Sequence, residues 1–260
     1  MPRSIWNGTI AFGLMTVPVK LHTATESKTV HFSEVHLDDG ARIEHRRFCS
    51  KEDREVEYKE VVKGYEVSDN TYVVLDKEEI AAAAGGRGKV IEVEHFVDAE
   101  DVDPVFYEKT YYMGAGKDGA EPYRLLHDAL EATGRAGIGR FTFHDREHLV
   151  AVRAVDGVLF LHTLRFADEL VAGSDIDVAE PSRGPGKREI EMAQRLIDTL
   201  HERFDPERYE DEYRQAVLDV IERKAKGEEI AVTEEPETDD SDDLMAVLEA
   251  SLGGAKKGAR

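Results

Sequence analysis

Arg42, Arg46, Arg47, Lys51 and Arg54 crowd one short window that also holds His45, against the acids Glu44, Glu52 and Asp53. Clustered guanidinium and ammonium groups are the chemistry that contacts phosphate. Alternation through 42–48 puts Arg42, Glu44 and Arg46 on one face of a strand and Ile43, His45 and Arg47 on the other, so neither face collects all the charge. The window reads either as a phosphate contact or as an ordinary solvated hairpin. Arg124, Arg135, Arg140, Arg146 and Arg153 are weaker candidates, because nothing in the sequence says which way they point.

Enzyme chemistry is harder to find. The best phosphate-loop candidate, Ala83-Ala84-Gly85-Gly86-Arg87-Gly88-Lys89-Val90, lacks the first glycine and ends in valine where a magnesium-binding hydroxyl is needed. It reads as a helix-to-strand turn. His144 and His148 are four apart, but they flank a turn, and Asp145 stands where a metalloprotease needs glutamate. His36, His45 and Cys49 offer three zinc-type ligands, against which Cys49 reads more simply as a small buried hydrophobe. No G-x-S-x-G elbow occurs, so no catalytic residue, metal or cofactor is assigned.

These residues need a scaffold. The chain has 260 residues with 41% hydrophobic and 8% aromatic content, enough for one substantial core with appendages. No apolar run approaches the roughly 20 residues that cross a bilayer, and no apolar signal follows Met1-Pro2-Arg3. The single Cys49 precludes an intrachain disulfide and suits a reducing cytoplasm. Net charge is −21, which taken alone argues against nucleic acid. Ten of those carboxylates lie in 228–249, where there is no lysine or arginine, and a local basic lining acts within about 10 Å at moderate salt.

Period-two alternation predicts two strands over 5–25, with Gly13 near the first turn and Pro18 after it, and further strands over 30–37, 42–48, 60–67, 71–75 and 90–97. A brief helix over 76–84 starts from Asp76 as N-cap and stops at Gly85-Gly86. Gly114 to Gly119 reads as a loop. A helix over 121–131 follows, with Tyr123, Leu126, Ala129 and Leu130 on its buried side. Strands over 139–143, 149–155 and 158–164 come next, the last two joined by Asp156-Gly157, a two-residue hairpin signal. Many short strands with tight turns indicate a barrel or sandwich.

Pro181 to Gly186 breaks this pattern near residue 183. Beyond it Met192, Leu196, Ile197 and Leu200 repeat at helical spacing. A second helix begins with Asp205 as N-cap and Pro206 at its first position, and Phe204, Tyr209, Tyr213, Val217, Val220 and Ile221 form its apolar stripe. Such a pair has no core of its own and must pack on the barrel or on another subunit. Residues 228–240 form an acidic linker. Ser241 then caps a short amphipathic segment whose Leu244, Val247, Leu248 and Leu252 share one face, followed by Lys256, Lys257 and Arg260. A tethered apolar stripe of this size suits a partner's groove.

The opening, Arg3-Ser4-Ile5-Trp6-Asn7-Gly8-Thr9-Ile10-Ala11-Phe12-Gly13-Leu14 through Val17-Pro18-Val19-Lys20-Leu21-His22-Thr23, resembles that of bacterial Ku. Ordered blocks extend the resemblance over nearly the whole chain: Val61-Val62-Lys63-Gly64-Tyr65-Glu66, Glu92-Val93-Glu94-His95-Phe96-Val97, His148-Leu149-Val150-Ala151-Val152-Arg153 and Leu161-His162-Thr163-Leu164-Arg165. Phe204-Asp205-Pro206-Glu207-Arg208-Tyr209 matches the family's helical arm, and Asp243-Leu244-Met245-Ala246-Val247-Leu248 its partner-binding tail.

The resemblance implies a mainly β fold with α: a Ku-type β-barrel core over 1–183 with an extended arch at about 26–90. A helical arm over 184–227, the linker over 228–240 and a ligase-recruiting tail over 241–260 complete it. It implies a non-enzymatic homodimeric ring on double-stranded DNA ends that recruits an ATP-dependent end-joining ligase at the nucleoid. Lys59 and Lys63 join the basic window within the arch. Extra cysteines common in the family are missing here, which weakens any metal reading. A protein-interaction scaffold or an RNA-binding module is the rival reading. The ring has a physical basis: a compact chain of this length has a radius of gyration of about 18 Å, too small to surround a duplex and keep a core, and small barrels are filled by their own side chains.

Overall fold

A computed structural model of the chain describes residues 3–83, 89–143, 146–179 and 183–228. The strands expected at the start of the chain are β1 (Trp6–Phe12) and β2 (Met15–Thr23), paired antiparallel around Gly13, whose φ of 56° suits the turn. Next come β3 (Phe48–Cys49), β4 (Arg54–Glu55), β5 (Lys63–Ser68), β6 (Thr71–Leu75), helix α1 (Lys77–Ala83) and β7 (Val90–Asp98). Then follow β8 (Tyr107–Ala115), α2 (Ala120–Thr133), β9 (Arg135–Phe143), β10 (Arg146–Val155), β11 (Val158–Leu164), α3 (Lys187–Leu200) and α4 (Glu212–Ala225).

Seven of these strands close a barrel in the order β1-β2-β8-β11-β10-β9-β7. All neighbours are antiparallel except β1 and β7, which run parallel and close the seam at Thr9 to Ala11 against Val90 to Glu92. Alternate residues fill the interior: Ile10, Val17, Leu21, Ile91, Met113, Leu159 and Leu161 are fully buried. The lumen is therefore packed, as the sequence predicts for a small barrel. At Gly139 the β7 backbone passes so close that a Cβ would lie 2.0 Å from the Glu92 carbonyl oxygen. The Asp156-Gly157 hairpin has positive φ at both residues, 48° and 80°, as a two-residue turn requires.

Helix α2 packs on β2, β9 and β10. Its buried residues are Leu126, His127 and Leu130, with Tyr123 half-buried. Ala129 is exposed, contrary to the expectation, and His127, which the apolar pattern passed over, takes an inward place. Strand β8 was not anticipated, because Tyr111 and Tyr112 put aromatic side chains on both of its faces and blur the alternation.

The 30–37 and 42–48 strands do not form. A single bridge joins Val35 to Arg42, and only Phe48–Cys49 and Arg54–Glu55 pair beyond it. The tip is an ordered turn in which Asp39 Oδ1 accepts the Ala41 N–H at 2.9 Å and Gly40 has a φ of 69°. Phe32, Val35 and Leu37 stay exposed. The β5–β6 hairpin agrees closely with its predicted span. Asp76 caps α1 as expected, its Oδ1 accepting the N–H groups of Glu78 and Glu79. The glycine stop at 85–86 lies outside the described residues.

The chain divides into two compact units, one of Met1–Lys28 with Ser33–Asp175 and one of Thr29–Phe32 with the segment from Ile176. In the second, α3 matches the helical spacing read from the sequence. Asp205 does act as a cap, accepting from the Glu207 N–H, but it starts only a single 3-10 turn over Pro206–Arg208. The longer helix α4 starts from a second cap, Asp211, whose carboxylate accepts the Arg214 N–H at 2.9 Å. Phe204 and Tyr209 therefore lie outside it and stack on each other at 6.0 Å.

Candidate nucleic-acid interface

The basic window sits in the excursion between β2 and β7. The structure sorts its cations into two groups. Arg46 bridges Glu55 at 3.2 Å and Glu44 at 3.6 Å. Arg54 bridges Glu52 at 2.6 Å and Glu60 at 3.3 Å, and these bonds raise its pKa. Glu60 is lowered, first by the Glu57 backbone N–H and then by Arg54. Lys59 lies 2.7 Å from Glu57. All are solvent-exposed pairs, worth little to stability but enough to mute a charge.

Arg42, Lys51 and Lys63 have no carboxylate partner among the described residues, and Arg47 instead lies over the Tyr58 ring at 5.1 Å. These four keep their charge available to an anion. A pocket of about 410 Å³ includes Lys63 in its lining, with Tyr58, Lys59, Val61, Val62, Leu75 and Asp76. His45 pairs with Glu34 and His36 with Asp39, each at 2.9 Å, while Cys49 is half-buried rather than buried. The three are not gathered into a common ligand set. The one grouping of three metal-ligand types among the described residues is His127, Asp128 and Glu131 on α2, where Asp128 already holds Arg124 at 2.9 Å.

The weaker arginine candidates also separate. Arg124, Arg135, Arg140 and Arg146 are bridged to Asp128, Asp98, Glu94 with Glu147, and Glu169 respectively. Arg153 has no carboxylate partner among the described residues, and its Nη1 approaches the Tyr107 phenol at 3.5 Å. Beside it, His162 is bonded through Nδ1 to Thr110 Oγ1 at 2.9 Å. Burial, aided by Arg153, pushes its pKa down to about 4. Sequence reading missed this group, whose members come from three strands, β8, β10 and β11, and share no local motif. Leu244, Val247, Leu248 and Leu252, the expected partner face, lie outside the described residues, as do His144 and the heart of the phosphate-loop candidate.

A closed, filled seven-stranded barrel interrupted between β2 and β7 by a long excursion that carries the basic window defines the class. Residues 11–192 match the family model described as the Ku70/Ku80 beta-barrel domain. The chain belongs to the bacterial Ku family. It is 42% identical to the Non-homologous end joining protein Ku of Anaeromyxobacter sp. (strain K), over 99% of this chain and 87% of that protein. Against the proteins of the same name from Frankia casuarinae and Bacillus subtilis it is 39% and 32% identical, covering 98% of this chain each time and 65% and 83% of the relatives. Among the described residues no helix is long and apolar enough to cross a membrane.

Proposed function

We propose that two copies of this chain form a ring that binds the ends of double-stranded DNA without sequence preference. The ring then recruits an ATP-dependent DNA ligase of the ligase D type for non-homologous end joining. The observation that carries the reading is the match of 11–192 to the Ku barrel model, supported by relatives named for end joining along nearly the whole chain. The packed lumen supports it physically: a duplex has no path through the barrel, so enclosure requires a second copy. Arg42, Arg47, Lys51 and Lys63 supply the phosphate contacts, while Arg46, Arg54 and Lys59, already paired, contribute less.

Enclosure reconciles the function with a net charge of −21. A ring that leaves only by sliding to a free end needs few phosphate contacts, because topology substitutes for affinity. The chain acts as a binder and organiser rather than a catalyst. Retention of linear duplex but not covalently closed circles of the same sequence, measured at moderate salt, is the expected result. Equal retention of both overturns threading.

A further inference from the structure

The outside of the barrel carries a row of side chains that its core does not use. His22 on β2, Tyr112 on β8, Phe160 on β11 and Arg153 on β10 are successive register partners, so they stand abreast on one face. The adjacent inner row on the first three strands is Leu21, Met113 and Leu159, all fully buried, which places the outer row on the opposite side of the wall. Phe160 and Tyr112 are in ring contact within it at 5.0 Å, and a chain of rings leads away from Phe160 to His162 at 5.9 Å and on to Tyr107 at 4.9 Å. Tyr112 is 39% exposed. A surface pocket of about 490 Å³ opens beside His22, Tyr112 and Phe160, with Asp156 its only carboxylate.

Cations without a carboxylate partner stand on this wall. Arg153 and Lys20, the latter two residues from His22 on the same face, have no carboxylate partner among the described residues. On β9 and at the start of β10, by contrast, Arg135, Arg140 and Arg146 are all neutralised. Partly open rings beside available cations match an unpaired nucleic-acid strand, whose bases offer free faces to aromatic rings and whose phosphates meet the cations. Paired bases in a duplex hide those faces. A protein partner would be served by the rings alone and leaves the uncompensated cations without a purpose.

We propose that the His22–Tyr112–Phe160–Arg153 row binds the single-stranded overhang of a DNA end. This rests on the end-binding reading above. The test is fluorescence anisotropy of the full chain with short duplexes that are blunt or carry an oligothymidine overhang. The unmodified chain binds the overhang form more tightly. Tyr112→Ala and Phe160→Ala each reduce that preference about 5-fold or more, the scale of one stacked base, and leave blunt affinity unchanged. Tyr112→Phe retains the preference, and Arg153→Gln makes the overhang contribution less sensitive to salt.

Absence of any overhang preference in the unmodified chain overturns the proposal, as does a preference that survives in Tyr112→Ala. Equal loss of blunt and overhang binding overturns it too, by giving the row to the duplex. A fall in particle mass on Tyr112→Ala does the same, by giving the row to a contact between copies. If the unmodified chain binds no blunt duplex, the end-binding reading fails instead, and titration with free oligothymidine then tests the row alone.

Discussion

The Tyr123 hydroxyl accepts the Leu159 backbone N–H at 2.9 Å, and the same oxygen donates to the Met113 carbonyl at 2.7 Å. One phenol on α2 therefore pins the helix to two adjacent barrel strands, and burial raises its pKa. Tyr123→Phe removes both bonds and leaves a shielded N–H unpaired. The expected loss is about 1–3 kcal/mol of stability, read as a lower urea midpoint with an unchanged slope.

Gly139 permits the close passage of β7. Gly139→Ala drives a methyl group into the Glu92 carbonyl and the Val93 Cα, backbone atoms that cannot swing aside. We expect a destabilisation of about 1–3 kcal/mol or more, seen as a lower melting temperature. Gly157→Ala meets no atom within 4 Å and perturbs only its turn, whose φ of 80° disfavours a side chain.

The sorting of the basic window predicts unequal roles. Arg42→Gln, Lys51→Gln and Lys63→Gln should each lower duplex affinity and reduce the salt slope by about 1. Arg46→Gln and Arg54→Gln should change both less, because their charge is already shared with Glu55, Glu52 and Glu60. Affinity measured across a salt series tests the division, and equal effects in both groups refute it.

His162 makes stability pH-dependent in a stated direction. Its folded pKa is lowered from 6.5 to about 4, chiefly by burial and then by Arg153, so below pH 6.5 the unfolded chain takes up a proton that the folded chain refuses. Stability is held above 6.5 and declines as pH falls toward 4. Denaturant midpoints for His162→Phe should fall less steeply over this window than those of the unmodified chain. His148 is shifted the same way by burial and adds to the residual slope.

Deleting residues 241–260 should spare end binding and abolish ligase stimulation, because Leu244, Val247, Leu248 and Leu252 are lost together. A joining assay with the ligase, run beside a gel shift, checks both halves.

Local signals were legible in the sequence, and signals that depend on register were not. The Asp76 cap, the Asp156-Gly157 turn and the β6 span follow from neighbouring residue types, which local physics settles. The 30–37 alternation misled: Val35 and Leu37 are exposed and unladdered, while β5 and β6, equally exposed, pair across a tight turn, so alternation alone does not specify a partner. Arg46 and Arg42 look equivalent along the chain. Only the fold brings Glu55 to Arg46 and leaves Arg42 without a carboxylate. The outer row was invisible for the same reason: His22, Tyr112, Phe160 and Arg153 become neighbours only once β2, β8, β11 and β10 are in register.

The parallel seam gives the barrel a modular character. Strands β2 and β7 flank β1, one on each side, so the excursion over 24–89 departs and returns with its two feet astride one strand, about 10 Å apart laterally. The described residues between those feet group with the barrel, except Thr29–Phe32, which group with the segment from Ile176. None of the seven barrel strands lies in that excursion, so a short splice across β1 in its place should leave a vessel that still closes.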